Sequence, residues 1–105
     1  MKIIRDPAEM QALSNKIRET DLLIGLVPTM GYLHEGHTSL IKAARQQSDV
    51  VVLSIFVNPT QFGPGEDLQK YPRDIERDEK TARAEGVDYL FYPATRAMYT
   101  SEFQT

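Results

Sequence analysis

The chain has 105 residues, of which 41% are hydrophobic and 26% are charged, the balance of an ordinary soluble globular domain. Its formal net charge of -3 argues against a domain that mainly wraps nucleic acid, because such domains carry a basic excess. The lack of cysteine excludes disulfides, zinc–thiolate sites and a cysteine nucleophile. No apolar run approaches the ~20 residues of a membrane span, and the first residues lack the apolar core of a signal peptide, so we expect a cytoplasmic protein that binds neither membrane nor nucleic acid.

The first half of the chain reads as strand, helix and strand. A short strand is predicted at Lys2–Arg5, followed by a helix at 7–19 for which Asp6 is the N-cap. The apolar run Leu22–Val27 predicts a strand buried on both faces. We expect this strand to end at Pro28, because proline cannot donate to a sheet ladder.

A second helix is predicted from about His34 to Gln47. Its apolar positions at helical spacing are Leu33, Leu40, Ile41 and Ala44. The segment Val50–Val57 (VVVLSIFV) is the strongest strand signal in the chain, because it is rich in β-branched residues and almost wholly apolar.

The rest of the chain begins with a long loop, 58–73, which holds three prolines and two glycines. A loop of this length in a compact domain is usually functional or disordered, and its aromatic residues make pure disorder less expected. Further elements are then predicted as follows: a helix at Ile75–Glu85 with Asp74 as N-cap and Gly86 at the C′ position, a strand at Val87–Tyr92 stopped by Pro93, and one helical turn at Thr95–Tyr99.

This alternation of strands and helices predicts an α/β fold with a parallel sheet and flanking helices. In open parallel sheets, ligands bind beyond the carboxyl ends of the strands. The segments Pro28–His37 and Asn58–Arg73 both follow predicted strands, so we expect them to lie at the same edge of the sheet.

The two histidines of the chain, His34 and His37, fall together at the predicted start of the second helix. A helix N-terminus favours anions, and two imidazoles at i and i+3 lie on one side of it, where they could bind phosphate. Gly36 between them would let a ligand approach the backbone. The alternatives are a capping histidine with a surface neighbour, or half of a metal site, and the second is disfavoured by the lack of cysteine.

Several polar and aromatic side chains have two interpretations. Asn58 and Gln61 could read a carboxylate or hydroxyl in a selective pocket, or could form turns. Phe62 and Met30 could line that pocket or pack onto the core. Gly31 is expected to supply a positive φ in the turn. Arg73 could clamp an anion or pair with a nearby acidic residue, and we favour the ion pair. No GxGxxG fingerprint and no P-loop motif is present.

Three segments together carry a family resemblance. The string Val27-Pro28-Thr29-Met30-Gly31-x-Leu33-His34-x-Gly36-His37 contains the HxGH element of the nucleotidyltransferase superfamily. It is followed by Ser54-Ile55-Phe56-Val57-Asn58-Pro59-x-Gln61-Phe62 and by Tyr71-Pro72-Arg73. In all three the chain resembles the pantothenate synthetase (pantoate–β-alanine ligase) family, from the first strand to about Tyr99.

The resemblance implies a Rossmann-like fold of the HxGH nucleotidyltransferase type and a two-step ligation. Pantoate would attack the α-phosphate of ATP, assisted by Mg²⁺, and β-alanine would then attack the resulting pantoyl adenylate to give pantothenate and AMP. Position by position, it implies that His37 is the catalytic proton donor and that His34 contacts phosphate. The implied ATP-binding residues are Met30, Gly31, Tyr32, Leu33, His34, Glu35, Gly36 and His37. The implied substrate-binding residues are Gln61, Pro28, Thr29, Met30, Asn58 and Phe62.

The resemblance also implies that residues 1–105 are the N-terminal part of the nucleotide-binding domain. The rest of that domain, with further ATP-binding loops, and a smaller C-terminal domain would be absent, so we expect the chain alone to be inactive. A homodimer is expected for the full-length enzyme. Two other functions stay open from the sequence: another HxGH nucleotidyltransferase, which would lack the segment containing Gln61 and Phe62, or a non-catalytic nucleotide-binding module.

Overall fold

Four strands and three helices alternate along the part of the chain that the structure, a computed structural model, describes, namely residues 1–56 and 74–94. Their order is the one predicted from the sequence. The elements are β1 (Lys2–Ile4), α1 (Pro7–Arg18), β2 (Ile24–Thr29), α2 (Glu35–Gln47), β3 (Val50–Ile55), α3 (Ile75–Ala84) and β4 (Tyr89–Phe91).

The strands form one parallel sheet in the order β1-β4-β3-β2. Alternate residues of each strand point to opposite faces, and this alternation divides the core in two. On one face, Val51 and Leu53 of β3 pack with Ile41 of α2 and Ala82 of α3. On the other face, Val52 packs with Met10 of α1 and Ile4 of β1. This is the predicted α/β, Rossmann-like fold with helices on both faces of the sheet.

Helix boundaries agree closely with the sequence patterns. The Asp6 carboxylate caps α1 by accepting a hydrogen bond from the Ala8 N–H (3.1 Å), and Pro7 occupies the first turn. The α3 helix is followed by Gly86 at φ 84°, the left-handed C′ residue expected there. Leu33, two residues before α2, and Ile41 within it are buried, but Leu40 is 56% exposed. Leu40 lies in α2 as predicted, but to one side of its buried stripe.

Strand β2 differs from its prediction at both ends. Leu22 and Leu23 precede the strand and are exposed, and Leu26 within it is 62% exposed, so the segment is not buried on both faces. The strand also continues through Pro28, which pairs in register with Ser54. The Thr29 carbonyl accepts a hydrogen bond from the Phe56 N–H of the β3 side. Pro28, one residue earlier, therefore turns its nitrogen to the open edge of the sheet, where the missing N–H costs nothing.

The remaining sequence predictions lie outside the described residues. These are the last residue of the third predicted strand, the loop 58–73 with Asn58, Gln61, Phe62 and Arg73, and the helical turn predicted at Thr95–Tyr99. Among residues 1–56 and 74–94, no helix has the length and apolarity needed to cross a membrane.

Candidate functional site

The candidate site begins where β2 and β3 end side by side. Thr29 of β2 is paired with Ile55 of β3, and the Phe56 N–H donates to the Thr29 carbonyl (3.0 Å). The Thr29 hydroxyl donates to the Ser54 carbonyl (3.0 Å) and accepts from the Gly31 N–H (3.1 Å). Thr29 thus holds Gly31, the second residue after the strand, close to the carboxyl ends of β2 and β3, and the chain turns there toward α2.

This turn uses the left-handed backbone region twice. Gly31 has φ 89°, as predicted, and Tyr32 has φ 55°. A Cβ on Gly31 would lie 3.0 Å from the Ile55 side chain and 3.3 Å from the Asp78 carboxylate, so glycine is needed there for space as well as for its backbone. Tyr32 adopts a conformation that costs a non-glycine residue roughly 1–2 kcal/mol. Contacts from elsewhere must offset this cost.

Asp78 of α3 supplies those contacts. It is 2% exposed and is the only buried charged side chain in the described part of the chain. One carboxylate oxygen accepts from the Tyr32 N–H and the other from the Leu33 N–H, both at 2.8 Å. Two charge-assisted hydrogen bonds of this kind satisfy the buried carboxylate and fix the two backbone amides of the turn.

Arg77, the neighbour of Asp78 on α3, contacts the same turn from its exposed side. Its guanidinium donates to the Leu33 carbonyl (2.9 Å) and lies over the Tyr32 ring, 4.8 Å from the ring centroid. The turn is therefore held to α3 through both its N–H and its C=O groups. It leads directly into His34, the N-cap of α2.

The two histidines cap α2 reciprocally. The His34 N–H donates to Nδ1 of His37 (3.1 Å), and the Gly36 N–H donates to Nδ1 of His34 (3.0 Å). The rings lie 4.1 Å apart between centroids and are tilted by 46°. This is a capping box in which the imidazoles take the positions usually held by serine or threonine and glutamate.

Reciprocal capping fixes the tautomer of both rings. A nitrogen that accepts a hydrogen bond carries no proton, so Nδ1 is unprotonated in His34 and in His37, and each neutral ring carries its proton on Nε2. Burial lowers the pKa of His37 below 6.5, the neighbouring His34 lowers it further, and the charge of Asp78 opposes both effects. In this tautomer each ring presents an Nε2–H donor at the helix start.

Most of the backbone donors around these rings are already used within the protein. The N–H groups of Gly31, Tyr32, Leu33, His34 and Gly36 all bond to side chains of Thr29, Asp78, His37 or His34. The helix start was expected to offer free amides to a ligand. Only Gly36 among these five lies in the first turn of α2, so a ligand at the helix start could meet the N–H group of Glu35 as well as the imidazoles.

The structure gives a reason for glycine at position 36 besides the ligand approach expected from the sequence. A Cβ at this position would lie 2.9 Å from Cε1 of His34 and 3.2 Å from its Nδ1. The space beside the Gly36 backbone is therefore occupied by the His34 ring. Glycine is required for the capping geometry, whether or not a ligand approaches.

A cavity of about 260 Å³ opens beside this turn at the carboxyl ends of the strands. Met30 lines it, as expected for a pocket residue, together with Phe56 after β3 and Tyr92 after β4. Arg5, which follows β1, also lines it and places its guanidinium 4.8 Å from the centroid of the Tyr92 ring. The lining also includes the Asp74 and Asp78 carboxylates, which accept backbone N–H groups of the protein, so in the described part of the chain Arg5 is the one cation available there to a small organic acid.

Of the residues singled out from the sequence, Met30 and Gly31 line the cavity, whereas His34 and His37 lie together at the start of α2 and do not line it. Pro28 lies exposed on the sheet edge. Tyr32 is 47% exposed, and Glu35 is exposed in the first turn of α2. Asn58, Gln61 and Phe62 fall outside the described residues, so their roles stay predictions.

Sequence reasoning missed Arg5, Arg77 and Asp78. A signal for Asp78 was present, because Ile75, Asp78 and Ala82 share one helical face and that face is otherwise apolar. A carboxylate on the buried stripe of a helix needs a partner, and here the partner is the turn before α2. Among residues 1–56 and 74–94, no three His, Cys, Asp or Glu side chains cluster so as to hold a metal ion.

Comparison with known proteins gives one consistent result. The sequence profile of a family described as Pantoate-beta-alanine ligase matches residues 2–105. The chain is 58% identical over its 105 residues to pantothenate synthetase of Bacillus cereus (strain ATCC 10987 / NRS 248), and 57% identical to that of Bacillus mycoides (strain KBAB4). It spans 37% of the length of each of these relatives.

Solved structures agree with the sequence relatives. Pantothenate synthetase from Thermus thermophilus superposes with a TM-score of 0.85 at 46% identity, covering 100% of this chain and 36% of that one. A pantoate-beta-alanine ligase from Francisella tularensis, complexed with beta-gamma ATP and beta-alanine, superposes with a TM-score of 0.87 at 42% identity, covering 94% of this chain and 38% of that one.

Proposed function

This chain belongs to the pantoate–β-alanine ligase family, and from that membership we propose that its 105 residues form the N-terminal part of a nucleotide-binding domain that activates pantoate with ATP. The observation that carries the proposal is the reciprocal capping of His34 and His37. It uses Nδ1 of both rings within the protein and leaves their Nε2–H groups for a ligand at a helix start, at the carboxyl ends of the strands of a parallel sheet. Phosphate oxygens are the ligands that such a position favours.

The proposed reaction has two balanced steps. A carboxylate oxygen of pantoate forms a bond to the α-phosphorus of ATP, and the bond to the leaving pyrophosphate breaks. The amine of β-alanine then attacks the acyl carbon, AMP leaves with the electron pair of the C–O bond, and the amine loses a proton. The Francisella tularensis relative, complexed with beta-gamma ATP and beta-alanine, supports ATP and β-alanine as two of the three substrates.

The histidines act in the first step. Negative charge grows on the oxygens around the α-phosphorus during attack, and preorganised donors stabilise it where it develops. The resemblance implies that His37 is a proton donor. The geometry supports hydrogen-bond donation from Nε2, because a ring with a lowered pKa stays neutral at physiological pH. We therefore assign to His34 and His37 the stabilisation of phosphate charge.

The acid substrate fits the cavity lined by Met30, Phe56 and Arg5. Its apolar walls suit the aliphatic part of pantoate, and the guanidinium of Arg5 suits a carboxylate. Gln61, Asn58 and Phe62, which follow β3 in the sequence, complete this pocket in the proposal.

Magnesium is expected from the resemblance, but the described residues do not fit a cage for it. The Asp78 carboxylate is buried and already accepts two N–H groups, and no cluster of three possible ligands occurs in the described part of the chain. No step is therefore assigned to the ion here. The homodimer and the cytoplasmic location stay predictions as well.

The proposal is tested by measuring pantothenate formation from ATP, pantoate and β-alanine. We expect no turnover by the 105 residues alone, because the chain spans 37% of its curated relatives. We expect turnover when residues 1–105 replace the matching segment of the Bacillus cereus enzyme, and a loss of about 10²–10³-fold in kcat with His37→Ala. Turnover by the chain alone, or a folded but inactive chimera, would contradict the proposal.

Pyrophosphate exchange into ATP separates this function from another nucleotidyltransferase activity. In the chimera, exchange should require pantoate, because pyrophosphate leaves only when the acyl adenylate forms. Exchange that needs no pantoate, or needs a different acceptor, would assign the histidine site to another reaction of the superfamily.

A further inference from the structure

We infer that Arg77 and Asp78 of α3, together called the α3 clamp, are positioning residues that hold His34 and His37 in the orientation and tautomer that phosphate binding needs. The clamp touches the turn before α2 and acts on the histidines through it. The inference deepens the proposed function and depends on it only for its consequence for catalysis.

The turn before α2 needs contacts from another part of the chain to keep its conformation. Tyr32 has φ 55°, and it is 47% exposed, so packing of its side chain alone does not fix it. Its N–H is held by the Asp78 carboxylate and its ring by the Arg77 guanidinium. Both contacts come from a helix that lies more than forty residues away in sequence.

Leu33, the residue directly before the first histidine, is held to α3 through its backbone. Its N–H donates to Asp78 and its C=O accepts from Arg77, so both of its backbone polar groups bond to α3. Its side chain is 2% exposed in the core. Leu33 therefore cannot shift or rotate without breaking the clamp, and the position from which His34 leaves the turn is set.

The position of His34 in turn determines the position of the His37 ring. The backbone N–H of His34 holds Nδ1 of His37, and the ring of His34 holds the Gly36 N–H. If His34 moves, both capping bonds weaken, and each ring is then free to carry its proton on either nitrogen. A ring protonated on Nδ1 presents a lone pair, not a donor, from Nε2, and repels phosphate.

Asp88 provides a matched control. Its carboxylate also accepts a backbone N–H from a neighbouring segment, that of Val51 at 2.8 Å, and it pairs with Arg45 at 2.6 Å. It lies at the amino end of β4, at the opposite edge of the sheet from the histidines. Asp88→Asn therefore weakens the interactions of a comparable carboxylate and leaves the contacts of the turn before α2 unchanged.

The tautomers of His34 and His37 are read by two-bond ¹H–¹⁵N NMR of the 105-residue chain at about pH 8, above the ordinary pKa of histidine. We expect one tautomer, Nε2–H, for each ring in the unsubstituted chain and in Asp88→Asn. In Asp78→Asn and in Arg77→Met we expect mixed or exchange-broadened tautomers. Arg77 is exposed, so Arg77→Met keeps the test decisive if Asp78→Asn fails to fold.

Activity of the chimera gives the second readout. Arg77→Met should lower kcat/KM for ATP by about 10-fold or more, in line with the cost of misplacing catalytic groups, while Asp88→Asn stays within about 2-fold. Wild-type tautomers in both folded clamp variants, or unchanged kcat/KM in Arg77→Met, would overturn the inference. An inactive unsubstituted chimera would count against the proposed function alone, because the tautomer measurement does not require turnover.

Discussion

Gly36 shows how one missing side chain organises the histidine pair. The position beside its backbone is filled by the His34 ring, which accepts the Gly36 N–H through Nδ1. Any larger residue must displace that ring. The ring is exposed and can rotate outward, so a substitution at Gly36 should disturb the histidine pair more than it lowers the stability of the chain.

We expect Gly36→Ala to change the free energy of unfolding by less than about 1 kcal/mol. The lost cap costs roughly 0.5–2 kcal/mol, and alanine in place of glycine in a helix regains up to about 1 kcal/mol. The His34 tautomer should nevertheless become mixed, which NMR detects. Urea denaturation measures the stability, and a stable variant with an unchanged His34 tautomer would show that the ring does not need this space.

The lowered pKa of His37 predicts a pH dependence of stability. The unfolded chain takes up a proton on this ring near 6.5, whereas the folded chain takes it up only at a lower pH. Between these two values the unfolded state binds more protons, so the stabilising effect is complete above 6.5 and is lost as pH falls through the window. Urea denaturation between about pH 8 and 5 should show a weaker decline for His37→Gln than for the unsubstituted chain. Equal declines would contradict the prediction.

At the scale of elements, Arg45 joins the end of α2 to the beginnings of two strands. Its guanidinium donates to the Asp88 carboxylate, to the Gly86 carbonyl (3.1 Å) and to the Asp49 carbonyl. Asp88 in turn accepts the Val51 N–H. This cluster fastens the amino edge of the sheet, opposite the candidate site.

Replacing Arg45 by methionine should lower the free energy of unfolding by about 1–2 kcal/mol. The loss is that of charge-assisted hydrogen bonds at a partly exposed site. Lys42→Met on the same helix is the control, because the Lys42–Glu85 pair is long (3.9 Å) and the lysine is 65% exposed. Chemical denaturation compares the two, and equal losses would mean that charge on α2, and not the Arg45 cluster, carries the effect.

The elements themselves could be predicted from the sequence, because caps and periodicity are local. Asp6, Asp74 and Gly86 mark helix ends in the chain, and the structure uses them in those roles. The errors at Leu26 and Pro28 have another origin. Burial and the direction of a strand's N–H groups depend on whether the strand lies inside the sheet or at its edge, and that is set by pairing order.

The candidate site was partly predictable for the same reason. His34, His37 and Gly31 lie within one short stretch, so their proximity was visible in the sequence. Asp78 lies 45 residues from Leu33, and only the folded chain brings the two together. The protonation of the histidines was likewise beyond the sequence, because it follows from which backbone N–H meets which ring nitrogen.

At the scale of the whole molecule, the two faces of the sheet differ. One face is covered by α2 and α3 and includes Leu53, which is fully buried. On the other face, which α1 covers in part, a groove of about 530 Å³ is lined by apolar side chains, and Leu26 there is 62% exposed. Stability in the described part of the chain should therefore depend on the first face.

Two substitutions test this asymmetry. Leu53→Ala should destabilise the chain by about 2–5 kcal/mol, because it removes buried methyl groups and leaves a cavity. Leu26→Thr should change stability by no more than about 0.5 kcal/mol, as at other exposed positions. Thermal or urea unfolding of both variants gives the comparison, and a large loss for Leu26→Thr would mean that another part of the molecule covers this face.

The hydrogen bonds that Asp78 accepts have a further consequence for amide hydrogen exchange. The Tyr32 and Leu33 amides lie in a turn, one of them on an exposed residue, and a turn normally exchanges with solvent quickly. Here the acceptor is a buried carboxylate on a core helix, so these amides open only when α3 separates from the sheet. They should therefore exchange as slowly as the central amides of α3, making a surface turn one of the most protected parts of the molecule.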